Sequence, residues 1–213
     1  DYESLNLGVL TDDEAERVVE NGGRASAALG LDPGRIAFGH QVHGAEVQVH
    51  EDWLGPPRWS GEPAPAEVDG HATALEGLAL MVLVADCVPI ALAGPGGVAM
   101  LHGGWRGLAA GIVGRGVERV GATGAAIGPA IGPCCYEVGE EVLAAFVPLG
   151  EGLADGRMLD LPAVARRLLE RAGVAAIEDA GLCTRCNPEL LFSHRGGGGR
   201  NGRQAGIAWR APA

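Results

Sequence analysis

A layered α+β domain is the fold this sequence predicts, and three observations carry that expectation. Strand-like and helix-like segments are intermixed without strict βαβ alternation, which disfavours a doubly wound parallel sheet. The 213 residues correspond to about one domain at ~150 residues per domain. No internal repeat or long linker divides them, so one domain over 1–213 is expected. Apolar residues make up 47% of the chain and charged ones 20%, enough to bury a core and too little charge for disorder.

The elements follow in order. Residues 11–29 set Val18, Val19, Ala25, Ala28 and Leu29 among charges, open on the capping stretch Thr11-Asp12-Asp13-Glu14 and stop at Gly30, which predicts a helix. Residues 36–50 alternate and contain Val42, Val47 and Val49, which suggests strands around a turn at Gly44. The segment 51–67 is rich in proline and lacks periodicity, so a surface loop is expected. The apolar runs 78–85, 88–93 and 98–101 predict buried strands. Helical periodicity runs over 108–120, a strand over 125–127, and amphipathic helices over 138–146 and 161–172. Further strands are expected from Ile177, over 190–193 and over 205–209.

Charge narrows the function. The chain carries 27 acidic and 16 basic residues, a net charge of -11, and every basic residue is an arginine. Lysine Schiff-base chemistry and a Walker-type phosphate lysine are therefore excluded. The acidic balance argues against general binding of nucleic acid or of anionic membranes, and the longest apolar run is too short to span a bilayer. Asp1-Tyr2-Glu3-Ser4 is unlike a signal peptide, and a chain with no initiator methionine is expected to begin inside a longer product. Five cysteines, an odd and low count, point to a reducing compartment, hence the cytoplasm.

Three soft or borderline metal ligands stand at strand ends, two of them beside glycines: His43 in Gln41-Val42-His43-Gly44, Cys87 in Ala85-Asp86-Cys87, and His102 in His102-Gly103-Gly104-Trp105-Arg106-Gly107. Two imidazoles and one thiolate leave the fourth tetrahedral position of Zn²⁺ open, the mark of a catalytic site, where a bound water is acidified. Without metal the same trio suits a cysteine nucleophile with a histidine base. From spacing alone, a buried Cys87 between two hydrogen-bonded turn histidines is equally compatible. The turn after His102, with Gly104 and Gly107, places backbone amides at a helix start, and Arg106 adds a fork suited to an oxyanion. In so acidic a chain, Arg195, Arg200 and Arg203 read either as a solvated tail or as an anion subsite. Cys134, Cys135, Cys183 and Cys186 make a four-thiolate zinc site on paper. Adjacent cysteines are awkward ligands, however, and this Cys-x-x-Cys lacks a knuckle context, so the four are read as scaffold thiols. His40, His50 and His71 are read as surface or core histidines.

The ordered motifs Ser4-Leu5-Asn6-Leu7-Gly8, Gln41-Val42-His43-Gly44, Ala85-Asp86-Cys87-Val88-Pro89, His102 to Gly107, Gly128-Pro129-Ala130-Ile131-Gly132, Tyr136-Glu137-Val138-Gly139, Leu159-Asp160-Leu161, Cys183-Thr184 and Phe192-Ser193-His194-Arg195 resemble the YfiH-like family. That family is also described as laccase-domain polyphenol oxidases, as peptidoglycan editing factors and as purine nucleoside phosphorylases. The resemblance implies a fold of stacked layers and His43, Cys87 and His102 as zinc ligands, with copper as the older alternative. It implies purine nucleosides and phosphate as partners: phosphorolysis of adenosine, inosine, guanosine and methylthioadenosine, with adenosine deamination as a second activity. Arg106, the glycine turn and the C-terminal arginines Arg195 and Arg203 would then hold phosphate. Asp86, beside the thiolate, would orient a histidine or carry protons.

The chain departs from the family pattern at Gly103, where alanine is usual, and at His194 and Gly196 within Ser193-His194-Arg195-Gly196, where the pattern reads Ser-Tyr-Arg-Arg. An arginine and two glycines usual before Ser4-Leu5-Asn6-Leu7 are also missing. The competing readings are a metal-free cysteine hydrolase or amidase editing peptidoglycan precursors, a non-catalytic binding module, and copper-dependent phenol oxidation. Six histidines in all make the last one poor. Oligomeric state is open, a homodimer included.

Overall fold

The computed structural model describes residues 2, 5–52, 66–198 and 201–212. In chain order the elements are α1 (Ala15–Leu29), β1 (Ile36–Ala37), β2 (Val47–His50), β3 (Gly70–Thr73), β4 (Ala79–Val84), β5 (Val88–Gly94), β6 (Gly97–Gly103), α2 (Trp105–Ala109), α3 (Ile112–Val120), β7 (Gly124–Ile127), α4 (Glu140–Phe146), β8 (Ala154–Asp155), β9 (Met158–Leu159), α5 (Leu161–Arg171), β10 (Ala176–Asp179) and β11 (Gln204–Ala208). Two sheets organise them. One has six strands in the order β10-β7-β5-β6-β3-β2, the other three in the order β1-β4-β11. The outer pairs β10/β7 and β2/β3 are parallel, the inner pairs antiparallel. This is the mixed, layered α+β architecture the sequence predicts.

Side-chain alternation sorts the layers. Ile90 and Leu92 of β5 and Ala99 and Leu101 of β6 pack with Leu108, Ile112, Val113, Val142, Phe146, Val164 and Leu169, which are contributed by α2 to α5. The opposite face of β6, through Met100, meets Leu80, Val82 and Val84 of β4 in a second core between the sheets. The other parity of β4, Ala79 and Met81, packs with Ile36, Phe38 and Ala25 of α1 in a third. The apolar run of β4 is thus continuous because both of its faces are covered. Helices cover the outside of each sheet, giving α/β/β/α layers. Among the described residues, no helix is long and apolar enough to cross a membrane.

Several expectations shift in detail. The capping stretch before α1 is a turn rather than helix: the Thr11 hydroxyl donates to the Gly8 carbonyl, and the Asn6 amide donates to Thr11 and Asp13. Gly30 ends α1 in the left-handed conformation with its N–H on the Ala27 carbonyl, as a C-terminal glycine does. The helix expected over 108–120 breaks at Gly111, whose φ of 90° is left-handed, leaving α2 and α3. The strand expected over 190–193 does not form. The Leu190 and Leu191 amides turn back to the Asn187 carbonyl, and the side-chain amide of Gln204 takes both backbone groups of Phe192 in place of a partner strand. The strand β3 and the hairpin β8/β9 carry no β-branched run and were not anticipated. Most of the 51–67 loop, residues 53–65, lies outside the described residues.

Candidate metal centre and cavity

The strands expected on either side of Gly44 shrink because residues 39–44 have other partners. The Gln41 amide donates to the Leu83 carbonyl of β4 and accepts its N–H. Immediately after it, the N–H groups of Val42, His43 and Gly44 all donate to the carboxylate of Asp69, at 3.0, 2.9 and 2.7 Å. His43 takes a φ of 61° to do so, a conformation that costs a non-glycine residue about 1–2 kcal/mol. The carboxylate that receives these amides is fully buried, so each bond offsets a desolvation cost.

Asp69 also bonds His102 Nδ1 at 2.7 Å. His102 is the last residue but one of β6, Cys87 immediately precedes β5, and the antiparallel register sets Val88 opposite Gly103. One sheet edge therefore presents both residues, and the Asp69-held loop delivers His43. The Cys87 Sγ lies 3.8 Å from His43 Nε2, the two imidazole centroids are 4.8 Å apart and nearly perpendicular, and all three donor atoms fall within 4.8 Å of one another. A tetrahedral zinc with bonds of about 2.3 Å to sulfur and about 2.05 Å to nitrogen sets S···N near ~3.6 Å, so the donors fit the ion with little movement. His102, fixed through Nδ1, leaves Nε2 to face a metal, the arrangement of a carboxylate–histidine–metal relay.

The electrostatics match. Burial opposes ionisation of Cys87, yet the neighbouring His102 and His43 pull its thiol down to about 6. Burial likewise opposes protonation of His102, and the Cys87 thiolate and Asp69 overcome it, raising the imidazole to about 9. Burial would push the Asp69 carboxyl up, but His102 and the Gly44 and Val42 amides hold it below the ordinary carboxylate range. The metal-free cluster is a thiolate–imidazolium pair resting on a carboxylate.

The cluster opens onto a cavity of about 630 Å³. Arg106, Arg195 and Arg203 all line it, as does Asp86. Arg106 stacks over Trp105 at 4.5 Å and Arg195 over Tyr136 at 5.1 Å. Arg203 is held at one nitrogen by the Gly202 carbonyl and by Asn201, and Arg200 lies outside the described residues.

Two site expectations need correction. Gly104 and Gly107 do not line the cavity. A Cβ on Gly104 would stand 2.7 Å from His43 Cδ2, and one on Gly107 would stand 2.5 Å from the Gly44 carbonyl oxygen. These glycines let α2 pack against the loop that carries His43 and Gly44. The carboxylate that orients His102 is Asp69, and not Asp86. Asp86 accepts instead from the Thr184 hydroxyl at 2.5 Å and from the Arg195 N–H at 2.7 Å, while its carbonyl takes the Ile131 N–H. Those three bonds secure the φ of 87° at Asp86, one residue before Cys87.

Asp69, Tyr136, Phe38, Trp105, His40 and His194 were not nominated for the site. An acidic residue in the otherwise weakly polar Val68-Asp69-Gly70 was the available signal for the first. His40, read as a surface or core histidine, lines the cavity.

Over residues 1–211 the chain matches the family described as multi-copper polyphenol oxidoreductase laccase. A Streptomyces coelicolor protein named purine nucleoside phosphorylase is 40% identical, over 98% of this chain and 88% of the relative. Geobacillus stearothermophilus YlmD, also named purine nucleoside phosphorylase, is 36% identical over 98% and 84%. The crystal structure of YlmD from that organism superposes with a TM-score of 0.90 at 34% identity, over 98% of this chain and 86% of that one. The Bacillus licheniformis hypothetical protein YfiH does so with a TM-score of 0.88 at 32% identity, over 98% and 86%. The chain belongs to this laccase-like, YfiH-like family.

Proposed function

We propose that the chain, as one catalytic domain over 1–213, is a purine nucleoside phosphorylase acting on adenosine, inosine, guanosine and methylthioadenosine. Adenosine deamination is a second activity of the same cavity. The observation that carries this reading is the convergence of the His43, Cys87, His102 donor set and three arginines on one cavity of about 630 Å³. Small-molecule sites span ~300–1,000 Å³, and Phe38, Trp105 and Tyr136 supply flat apolar wall for a purine. The names carried by relatives at 36% and 40% identity support it.

In phosphorolysis a phosphate oxygen bonds to ribose C1′ as the C1′–N9 bond breaks, and the purine leaves with a proton. Arg106 and Arg195 offer planar forks to the phosphate oxygens, with Arg203 beside them. His43, Cys87 and His102 would hold a zinc ion, which would supply Lewis-acid chemistry when bound. Asp69 positions His102 and, through three amides, the backbone of His43. Five free thiols fit the reducing cytoplasm. The test is product analysis with inosine and adenosine, with and without phosphate, alongside metal content. Phosphate-dependent hypoxanthine and ribose 1-phosphate from inosine are expected, and base release at the same rate without phosphate overturns the reading.

A second reading has its own observation. Asp69, His102 and Cys87 form a carboxylate–imidazole–thiolate series able to act as an activated nucleophile, as an amidase acting on peptidoglycan precursors would use. Chelator-resistant activity abolished by thiol alkylation would select it over the first.

A further inference from the structure

We propose that Cys134, Cys135, Cys183 and Cys186 form a second metal site, a closed structural tetrathiolate that holds zinc. The four sulfurs come from two loops that leave the ends of the neighbouring parallel strands β7 and β10, and all lie within 4.8 Å of one another. Cys134 and Cys135 each place Sγ 3.5 Å from Cys186 Sγ. Zinc–sulfur bonds of about 2.3 Å in a tetrahedron require S···S near ~3.8 Å, so one ion at the centre needs only small shifts.

The awkwardness of adjacent cysteine ligands is relieved by the backbone. After Pro133 the Cys135 and Tyr136 amides both return to the Gly132 carbonyl, and this tight turn sends both sulfurs toward Cys186. The Gly132 N–H donates to Cys183 Sγ at 3.3 Å, the kind of bond that stabilises a ligating thiolate. A Cβ on Gly132 would stand 3.4 Å from Cys183 Cβ and 3.5 Å from Cys134 Sγ; this residue leaves the approach open.

The donor chemistry selects the class of ion. Four soft thiolates suit zinc, and a full complement of protein ligands with no open position marks a structural site. No pair is joined as a disulfide: all five cysteines are free. The structural consequence is local. Ala130 and Cys183 already bridge the two loops, and Thr184, next to Cys183, is the hydroxyl that bonds Asp86 beside Cys87. A metal clamp here would fix the segment that secures the strained residue before the first cluster. It does not depend on which reaction that cluster performs.

Metal analysis of purified protein tests this. About two zinc ions per chain are expected for the wild type, falling by one in Cys87→Ala and by one in the double variant Cys183→Ser/Cys186→Ser. Cobalt-loaded Cys87→Ala should show the intense near-ultraviolet sulfur-to-cobalt charge transfer of several thiolates. If the double variant does not fold, Cys87→Ala decides alone. A Cys87→Ala protein that retains no metal after incubation with zinc and gel filtration overturns the proposal. So does thiol titration of unreduced, denatured wild type that finds a disulfide among the four.

Discussion

The chain gathers soft metal donors in two places, and the two are built in opposite ways. His43, Cys87 and His102 stand on or beside the large sheet and lean on a buried carboxylate that orders both a loop and an imidazole. Cys134, Cys135, Cys183 and Cys186 sit on surface loops, two of them exposed, and their order comes from turns and one N–H···S bond. The first set has three donors facing a cavity; the second has four facing one another. Donor count and access, more than residue type, separate a reactive centre from a brace.

The largest effect should come from exchanging the two roles. Cys87→Ala is expected to lower kcat/KM on the order of 10³-fold or more with little change in melting temperature, because it removes a donor and leaves the second set intact. Cys186→Ser should do the reverse, lowering the melting temperature while sparing most of the activity. Steady-state kinetics and thermal denaturation of both variants check this, and equal activity losses would erase the distinction.

Asp69→Asn should come next. Its carboxylate orients His102 and holds the His43 loop, so a loss of about 10–100-fold in zinc affinity at this site is expected, typical for such orienting partners. Competition with a chromophoric chelator measures it, and the metal held by the four cysteines should be unaffected.

Asp69 also marks where sequence reading stopped. His43, Cys87 and His102 were legible because each ends an apolar or alternating run, two of them beside a glycine, and antiparallel β5/β6 returns two of them to one edge. The layered fold was legible in strands and helices intermixed without strict βαβ alternation, and β4 in its continuous apolar run. What no local pattern held was the partner of the loop. Three consecutive amides on one carboxylate 25 to 27 residues away are long-range pairings with no periodic trace. The same holds for Thr184 and Asp86, 98 residues apart. The convergence of the four cysteines left a weaker trace in the sequence. Spacing rules describe ligands on one hairpin, whereas these converge through the register of two parallel strands.

Gly107→Ala probes how tightly the first region is packed. Its new methyl would stand 2.5 Å from the Gly44 carbonyl oxygen, a backbone contact that cannot rotate away. Overpacking of this kind costs about 1–3 kcal/mol, or ~2–4 °C of melting temperature per kcal/mol for a chain of this size. Gly132→Ala in the second region meets its nearest atoms only at 3.4 Å and beyond and should cost less. Differential scanning calorimetry of the pair ranks the two, and an equal or reversed ranking contradicts the packing difference.

The last effect is the most specific. His71 is buried on β3, with His50 at 3.1 Å from Nδ1 and no hydrogen-bond partner at Nε2 among the described residues. Burial, then the charge of His50, lower its pKa to about 3, with Asp69 opposing. It is the counterpart of His102, which the same carboxylate bonds directly and whose pKa rises. Between pH 6.5, where the unfolded imidazole takes its proton, and about 3, where the folded one does, the unfolded state binds the extra proton. Stability should therefore fall as pH drops through that window, by about 1.4 kcal/mol per pH unit for this one group. Carboxylates add acid sensitivity of their own, so the observable is the difference between wild type and His71→Asn in urea denaturation from pH 7 to 4.5. The variant should lose less stability per pH unit over that range. Parallel slopes would mean that His71 is protonated in the folded protein, and that only proximity to Asp69, with no direct bond, is enough to keep a buried imidazole charged here.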